Sequence, residues 1–234
     1  MINNFLLEIT VESVDAALAA ERGGADRIEL CADLRCGGLT PTAEAMRNAR
    51  TALRLPIFTM IRPRAGNFVY TNDEVSLMKS QITNARQSKM DGIVLGVLRE
   101  NKTVDLPLLQ MLVQFAAPLP VTFHRAFDET PDLFQALEDV ISAGAVRILT
   151  SGGASKVPQA LDSLAKLVQI AGDRIIIVPG SGIDPDNFAL VQKSIHAREY
   201  HSGLSGVLPY GSSDHSRFEA AVRSLARANP QPAD

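Results

Sequence analysis

Short apolar runs rich in β-branched side chains recur along the chain. Between them lie longer stretches in which apolar positions return roughly every three or four residues. The first pattern predicts strands at 5–9, 26–30, 56–61, 91–95, 120–124, 146–150, 174–178 and 198–201, and the second predicts intervening helices. The run IIIV at 175–178 has no polar break, which is how a strand buried on both faces of a parallel sheet reads. Helix starts are expected at Thr40-Pro41, Thr130-Pro131 and Asp184-Pro185, where a capping oxygen precedes a proline, and at the Thr71 to Glu74 capping box. Gly23-Gly24, Gly144 and Gly172 mark helix ends.

Eight strand–helix units are the count of a closed (β/α)8 barrel, so the predicted fold is α/β, a single TIM-like domain over residues 1–228. Residues 229–234, NPQPAD, read as a disordered tail. An internal echo favours closure over an open sheet. GADRIEL at 24–30 matches GAVRILT at 144–150, an offset of 120 residues, and a barrel of two similar halves repeats after four units.

Charge and composition narrow the partners. The 234 residues carry 23 Lys and Arg against 26 Asp and Glu, without a basic block, which argues against nucleic acid and anionic membranes. No apolar run approaches the roughly 20 residues a spanning helix needs, and MINNFLLEIT lacks the features of a secretory signal, so a cytoplasmic protein is expected. The only cysteines, Cys31 and Cys36, are then free thiols.

The predicted strands end in titratable side chains. Glu8, Glu29, Arg62, His124 and His201 each stand at the C-terminal end of a strand, and Arg125 and Asp128 follow directly after His124. In a parallel barrel that end is the mouth where ligand chemistry is kept, so these residues are expected around one pocket as acid, base and anion anchor. The alternative is that each closes the barrel top as a paired charge. Arg62-Pro63-Arg64 makes a doubly cationic turn suited to a carboxylate or phosphate. The turns Ser151-Gly152-Gly153 and Gly180-Ser181-Gly182 offer backbone N–H groups to an anion, or simply let the chain turn. No lysine ends a predicted strand, which argues against a Schiff-base aldolase, and there is no His-x-His strand or His-Glu-x-x-His helix for zinc. Cys31 and Cys36 form the one soft-ligand pair; with Met46 or Met60 assisting they would favour Cu(I), and otherwise they are unliganded.

Taken in order, GADRIELC (24–31), GGLTPT (37–42), IRPRAGNF (61–68), VTFHRAFD (121–128), ILTSGG (148–153) and EYHSG (199–203) resemble the CutC family over most of the chain. The resemblance implies a cytoplasmic TIM-like barrel, commonly a homodimer, associated with copper tolerance and copper binding; it does not fix a reaction. The expected function is therefore copper homeostasis with Cu(I) bound at Cys31, which lies within the family motif, and secondarily at Cys36, which does not. The residue chemistry favours an alternative: a lyase, isomerase or hydrolase acting on a small anionic or hydroxylated metabolite. In that reading His124 and Glu29 are acid and base with Glu8, Asp128 and His201 beside them, while Arg62, Arg64 and Arg125 hold the anion. A third reading is a ligand-binding barrel without turnover. Two departures from the family pattern bear on the mouth. Asn67 stands where an aspartate is usual, removing a carboxylate, and residues 206–211, GVLPYG, replace an Arg-containing loop.

Overall fold

The computed structural model describes residues 5–228. Its strands are β1 (Leu6–Val11), β2 (Arg27–Leu30), β3 (Ile57–Met60), β4 (Gly92–Leu95), β5 (Val121–Phe123), β6 (Arg147–Thr150), β7 (Ile176–Pro179) and β8 (Glu199–Ser202). All the ladders are parallel, in the order β7-β6-β5-β4-β3-β2-β1-β8, and a parallel bridge between Gly180 and His201 closes the ring. Eight helices cover it: α1 (Val14–Gly23), α2 (Ala43–Ala52), α3 (Asn72–Gln87), α4 (Leu106–Ala116), α5 (Leu133–Ala143), α6 (Leu161–Ala171), α7 (Phe188–Ile195) and α8 (His215–Arg227). This is a (β/α)8 barrel. The proposed tail at 229–234 lies outside the described residues.

Side chains alternate along each strand between two cores. Ile9, Ile28, Ile57, Ile93, Val121, Ile148, Ile177 and Tyr200 point outward into the main apolar core beneath the helices. The alternate positions fill the lumen: Glu8 and Thr10, Arg27 and Glu29, Phe58 and Met60, Val94, Arg147, Glu199 and His201. The outer layer accounts for the apolar character of the strands, whereas the lumen carries much of their charge.

The capping box and two of the glycine stops stand as expected. Thr71 and Glu74 bond reciprocally at the start of α3, and Gly24 and Gly144 end α1 and α5 in the left-handed conformation. Gly172 follows α6 with φ +55 but a ψ outside the left-handed well. The three proline-marked starts are each displaced, because the expected cap has another partner. Thr40 accepts from the Arg62 N–H (2.8 Å) and donates to Gln81, so Thr42 caps α2. Thr130 donates to the Phe127 carbonyl, and Asp132 caps α5. Asp184 accepts from the Asp186 and Asn187 amides in a turn that delays α7 to Phe188.

The lower lumen is an ion network. Arg27 donates to Glu8 (2.5 Å) and to Glu199, and Arg147 reaches the same Glu199 from β6 (3.1 Å). Both guanidiniums also lie over the ring of Phe58, at 4.7 and 5.0 Å from its centroid. The sequence echo thus has a physical content: the repeated arginines converge on one carboxylate and one ring. Gly92 makes room, since a Cβ there would meet the Phe58 ring at 2.6 Å.

Removing Arg27 leaves Glu8 and Glu199 buried with less compensation. Arg27→Met is expected to lower unfolding stability by about 3–5 kcal/mol in urea titrations, as breaking a buried pair does. Breaking the exposed Arg174–Glu138 pair with Arg174→Ala should leave the midpoint nearly unchanged.

Candidate active site

At the C-terminal mouth lies a cavity of about 420 Å³. Glu29, Cys36, Arg62, His124, Arg125, Asp128, Gly182 and His201 line it. Glu8 stands one step behind, its Oε1 2.7 Å from His201 Nδ1. With Nδ1 held by Glu8, His201 turns Nε2 toward Glu29, whose Oε2 lies 3.9 Å away.

This chain of groups is ordered electrostatically. Burial opposes ionisation of Glu8, but Arg27 and then His201 outweigh it and hold its carboxyl down at about 2. Burial raises Glu29, and the nearby Glu8 charge adds to that, against the pull of His201. For His201, burial favours the neutral ring, yet Glu29 and Glu8 together push its pKa up. The result is a buried imidazole between a fixed carboxylate and one readier to take a proton, an acid–base pair flanking β1.

His124 is a different kind of histidine. Its Nδ1 accepts from the Ala126 N–H (3.1 Å) at the start of the 3₁₀ turn Arg125–Glu129, so the ring hydrogen sits on Nε2. Burial and then the Arg62 charge push its pKa down to about 3, so it is neutral near pH 7. Phe68 covers the ring at 4.8 Å between centroids.

Arg62 is buried, 6% exposed, and its NH groups donate to the backbone carbonyls of Cys36, Gly38 and Gly66. Among the described residues no Asp or Glu carboxylate lies within 4 Å of it, although every acceptor it has is neutral. Arg64 faces elsewhere. It pairs with Glu74 (2.5 Å), bonds to Asn67 and Val69, and borders a separate hollow. Asn67 belongs to that hollow too and supports Arg64 rather than the main cavity.

The turn after β6 is occupied from within. The Asp128 carboxylate accepts from the amides of Ser151 (3.0 Å) and Gly153 (3.1 Å), both hydroxyls of Thr150 and Ser151, and Arg125 Nε (2.9 Å). The Gly152 amide donates to Thr150 Oγ1. The Ser151 amide is therefore engaged by Asp128 and the Gly152 amide by Thr150, and Asp128 itself supplies the negative charge expected of a ligand. Gly180 is likewise engaged, through its amide to the Thr150 carbonyl, whereas Gly182 reaches the cavity wall. Its neighbour Ser181 adopts φ +99, unusual for a residue with a side chain, and is held by bonds to Ser155 and Val157.

The thiols border this ring: Cys36 lines the cavity, and Cys31 lies behind Glu29. Cys31 Sγ is 3.5 Å from Glu29 Oε2 and 3.6 Å from the Thr10 hydroxyl; burial, then Glu29, push the thiol well above its usual range. Cys36 donates to the Asp33 carbonyl (3.1 Å), and burial and Asp33 raise it also. Met60 shares the lumen with Cys31, while Met46 sits in the outer core. Among the described residues, the group of His, Cys, Asp or Glu with three ligand atoms mutually within 4.8 Å is Glu8, Glu29 and His201. Glu8 already serves Arg27 and His201, which leaves two harder donors and no thiol, a poor match to Cu(I).

Wall residues that the strand-end reading did not single out include Thr10, Phe68, Glu129, Ser205 and Tyr210. Thr10 was legible as the inward position two after Glu8; Tyr210 reaches the cavity from the loop after β8.

Comparison with known proteins places this architecture. The CutC family model matches residues 5–206. A CutC protein of Agrobacterium fabrum is 44% identical over 232 residues, spanning 94% of this chain and 92% of its own. The copper homeostasis protein cutC homolog of Homo sapiens is 42% identical over 224 residues, spanning 96% and 82%. The crystal structure of the putative copper homeostasis protein CutC from Streptococcus agalactiae is 29% identical and superposes with a TM-score of 0.81, covering 85% of this chain and 98% of that one. Phosphoribosyl anthranilate isomerase of Thermotoga maritima, 14% identical with a TM-score of 0.62, shares the barrel alone.

Asp128→Ala strips the β6 turn of its acceptor. Loss of about 3 kcal/mol is expected from the amides and the arginine left without it. Added formate should raise the melting temperature of the variant by more than it raises that of the wild type.

Proposed function

The chain belongs to the CutC family, and within it we propose that the barrel mouth is a proton-transfer site for a small organic anion. The observation that carries this reading is Arg62: a buried guanidinium on the cavity wall whose acceptors are all neutral carbonyls. A buried guanidinium charge without a carboxylate partner favours an anionic guest. Glu29 and His201 line the same cavity and supply the proton donor and acceptor. In this reading the bound anion compensates Arg62 and presents its adjoining carbon or oxygen to the pair. The protein works in the cytoplasm as a homodimer; its unbridged thiols support the compartment.

A second reading follows the copper homeostasis names of the relatives and places Cu(I) at Cys31. It is favoured by one contact pattern: a Cβ at Gly38 would meet Cys31 Sγ at 3.1 Å and Met60 Cε at 3.4 Å, so two sulfur side chains lie under the same loop. Titration of Cu(I) against a competing chelator should then weaken strongly in Cys31→Ser and slightly in Cys36→Ser. Unchanged affinity in the double variant removes this reading.

The anion reading is tested by a thermal-shift screen of carboxylates, phosphates and sugar acids. A ligand at ten times its Kd adds about 1.4 kcal/mol, worth about 3–6 °C in a chain of this size. The shift should vanish in Arg62→Ala and survive in part in Arg62→Lys, which keeps the charge without the fork. An equal shift in wild type and Arg62→Ala, or none with any anion, counts against it.

A further inference from the structure

Two features of the mouth go beyond a generic anion pocket. The first is an unused donor. His124 is 3% exposed, its Nδ1 is committed to the Ala126 N–H, and its Nε2 is buried without a hydrogen-bond partner. The ring is held in place, for a Cβ on Gly96 would lie 2.4 Å from Nδ1 and Phe68 covers it from another side. A fixed, buried N–H lacking an acceptor is a vacancy for one oxygen atom. The second feature is where this donor sits. His124 follows β5, which is separated from β2 by β3 and β4 and from β8 by β6 and β7. Glu29 and His201 come from β2 and β8, so donor and acid–base pair occupy opposite walls of one cavity, with Arg62 after β3 between them.

The chemistry of the missing oxygen is restricted. A neutral N–H aimed at a single atom suits a carbonyl, whose oxygen gains charge during reaction, better than a phosphate, which draws several charged or backbone donors. The turn after β6 offers little to a phosphate because Asp128 occupies it.

Resting on the proton-transfer reading above, we propose that the substrate is a small 2-oxo acid or closely similar carbonyl acid, and that His124 donates its Nε2 hydrogen to the carbonyl oxygen while the opposite pair exchanges the neighbouring C–H proton. Arg62 takes the carboxylate. The C–H proton passes to a Glu29 oxygen; the C–H electron pair becomes the carbon–carbon double bond, and the carbonyl π pair moves to the oxygen facing His124. Return of the proton to the same carbon gives exchange. Where that carbon bears a hydroxyl, as in hydroxypyruvate, the hydroxyl proton passes to the former carbonyl oxygen, the proton on Glu29 goes to the former carbonyl carbon, and the hydroxyl-bearing carbon becomes the new carbonyl, which is isomerisation. No oxidant or further reactant is required. A neutral imidazole can polarise a carbonyl in this way because it gives up no proton in the ground state.

The test is hydrogen–deuterium exchange of pyruvate, 2-oxoglutarate and hydroxypyruvate in deuterium oxide, followed by proton NMR, with oxalate as a planar anion probe for binding. Wild type should exchange at least one of the three, and His124→Phe should lower the rate about 100-fold while oxalate still gives an Arg62-dependent thermal shift. His124→Gln, which keeps an N–H donor, should recover part of the rate. Oxalate binding that depends on Arg62 without exchange of any 2-oxo acid overturns this inference and leaves the anion site standing. Absence of oxalate binding overturns this inference, and absence of a shift with every anion of the screen overturns both. Should His124→Phe not fold, the nitrogen-15 spectrum of the wild type decides: an imidazolium or an Nδ1–H tautomer for His124 at neutral pH overturns the assignment, and an Nε2–H tautomer whose shift moves on adding oxalate supports it.

Discussion

A guanidinium sealed inside a barrel must find its negative charge within the protein, and Arg27 imposes that requirement on everything above it. It is 2% exposed and draws on Glu8 and Glu199 together. Satisfying it keeps Glu8 ionised, which in turn fixes Nδ1 of His201 and leaves the other nitrogen facing Glu29. The polarity of the cavity floor is thus inherited from a charge one layer below it. Ion pairs of this kind are seldom the most stabilising filling for a core. Their effect here is positional: each group has one arrangement that satisfies its neighbours.

The eight strands could be read because the outward residues on every strand meet an apolar helix layer, which leaves a run of Ile, Val and Leu in the sequence. Inward residues broke those runs at Glu8, Glu29 and His201, and the breaks were the visible trace of the site. Helix starts were harder. A threonine or aspartate before proline announces a cap, but Thr40 is taken by Arg62 and Gln81 from distant segments, which single-sequence reasoning does not see, while Thr130 and Asp184 spend their oxygens in local turns with Phe127 and with Asp186 and Asn187. The same limit applies to Arg64. It is chemically identical to Arg62 and two residues away, yet Glu74 at the start of α3 turns it aside.

Hard and soft donors occupy different parts of the mouth. The carboxylates of Glu8 and Glu29 flank the His201 imidazole, the first hydrogen-bonded to it and the second 3.9 Å away, while the sulfur of Cys31 and Met60 packs against Phe58 and Val94 as part of an apolar cluster. Glu29 is the hinge between the two, touching His201 on one side and the Cys31 thiol on the other. A metal drawn to the sulfur and a proton passing through the imidazole would each be felt by the same carboxylate, so the two chemistries associated with this chain are coupled through one side chain.

Asp128 has a consequence for how the mouth recognises anything. Loops that cradle an external anion are set by its arrival, and their ordering is part of the free energy of association. Here the carboxylate is tethered to the loop preceding the turn it organises, at the concentration of an intramolecular group. The β5 and β6 loops are therefore assembled before any guest enters. Rigidity acquired in this way makes selectivity a matter of steric and electrostatic fit against a finished surface, and leaves any adaptive movement to the rest of the rim, which includes the segment after β8 that contributes Tyr210 to the cavity wall.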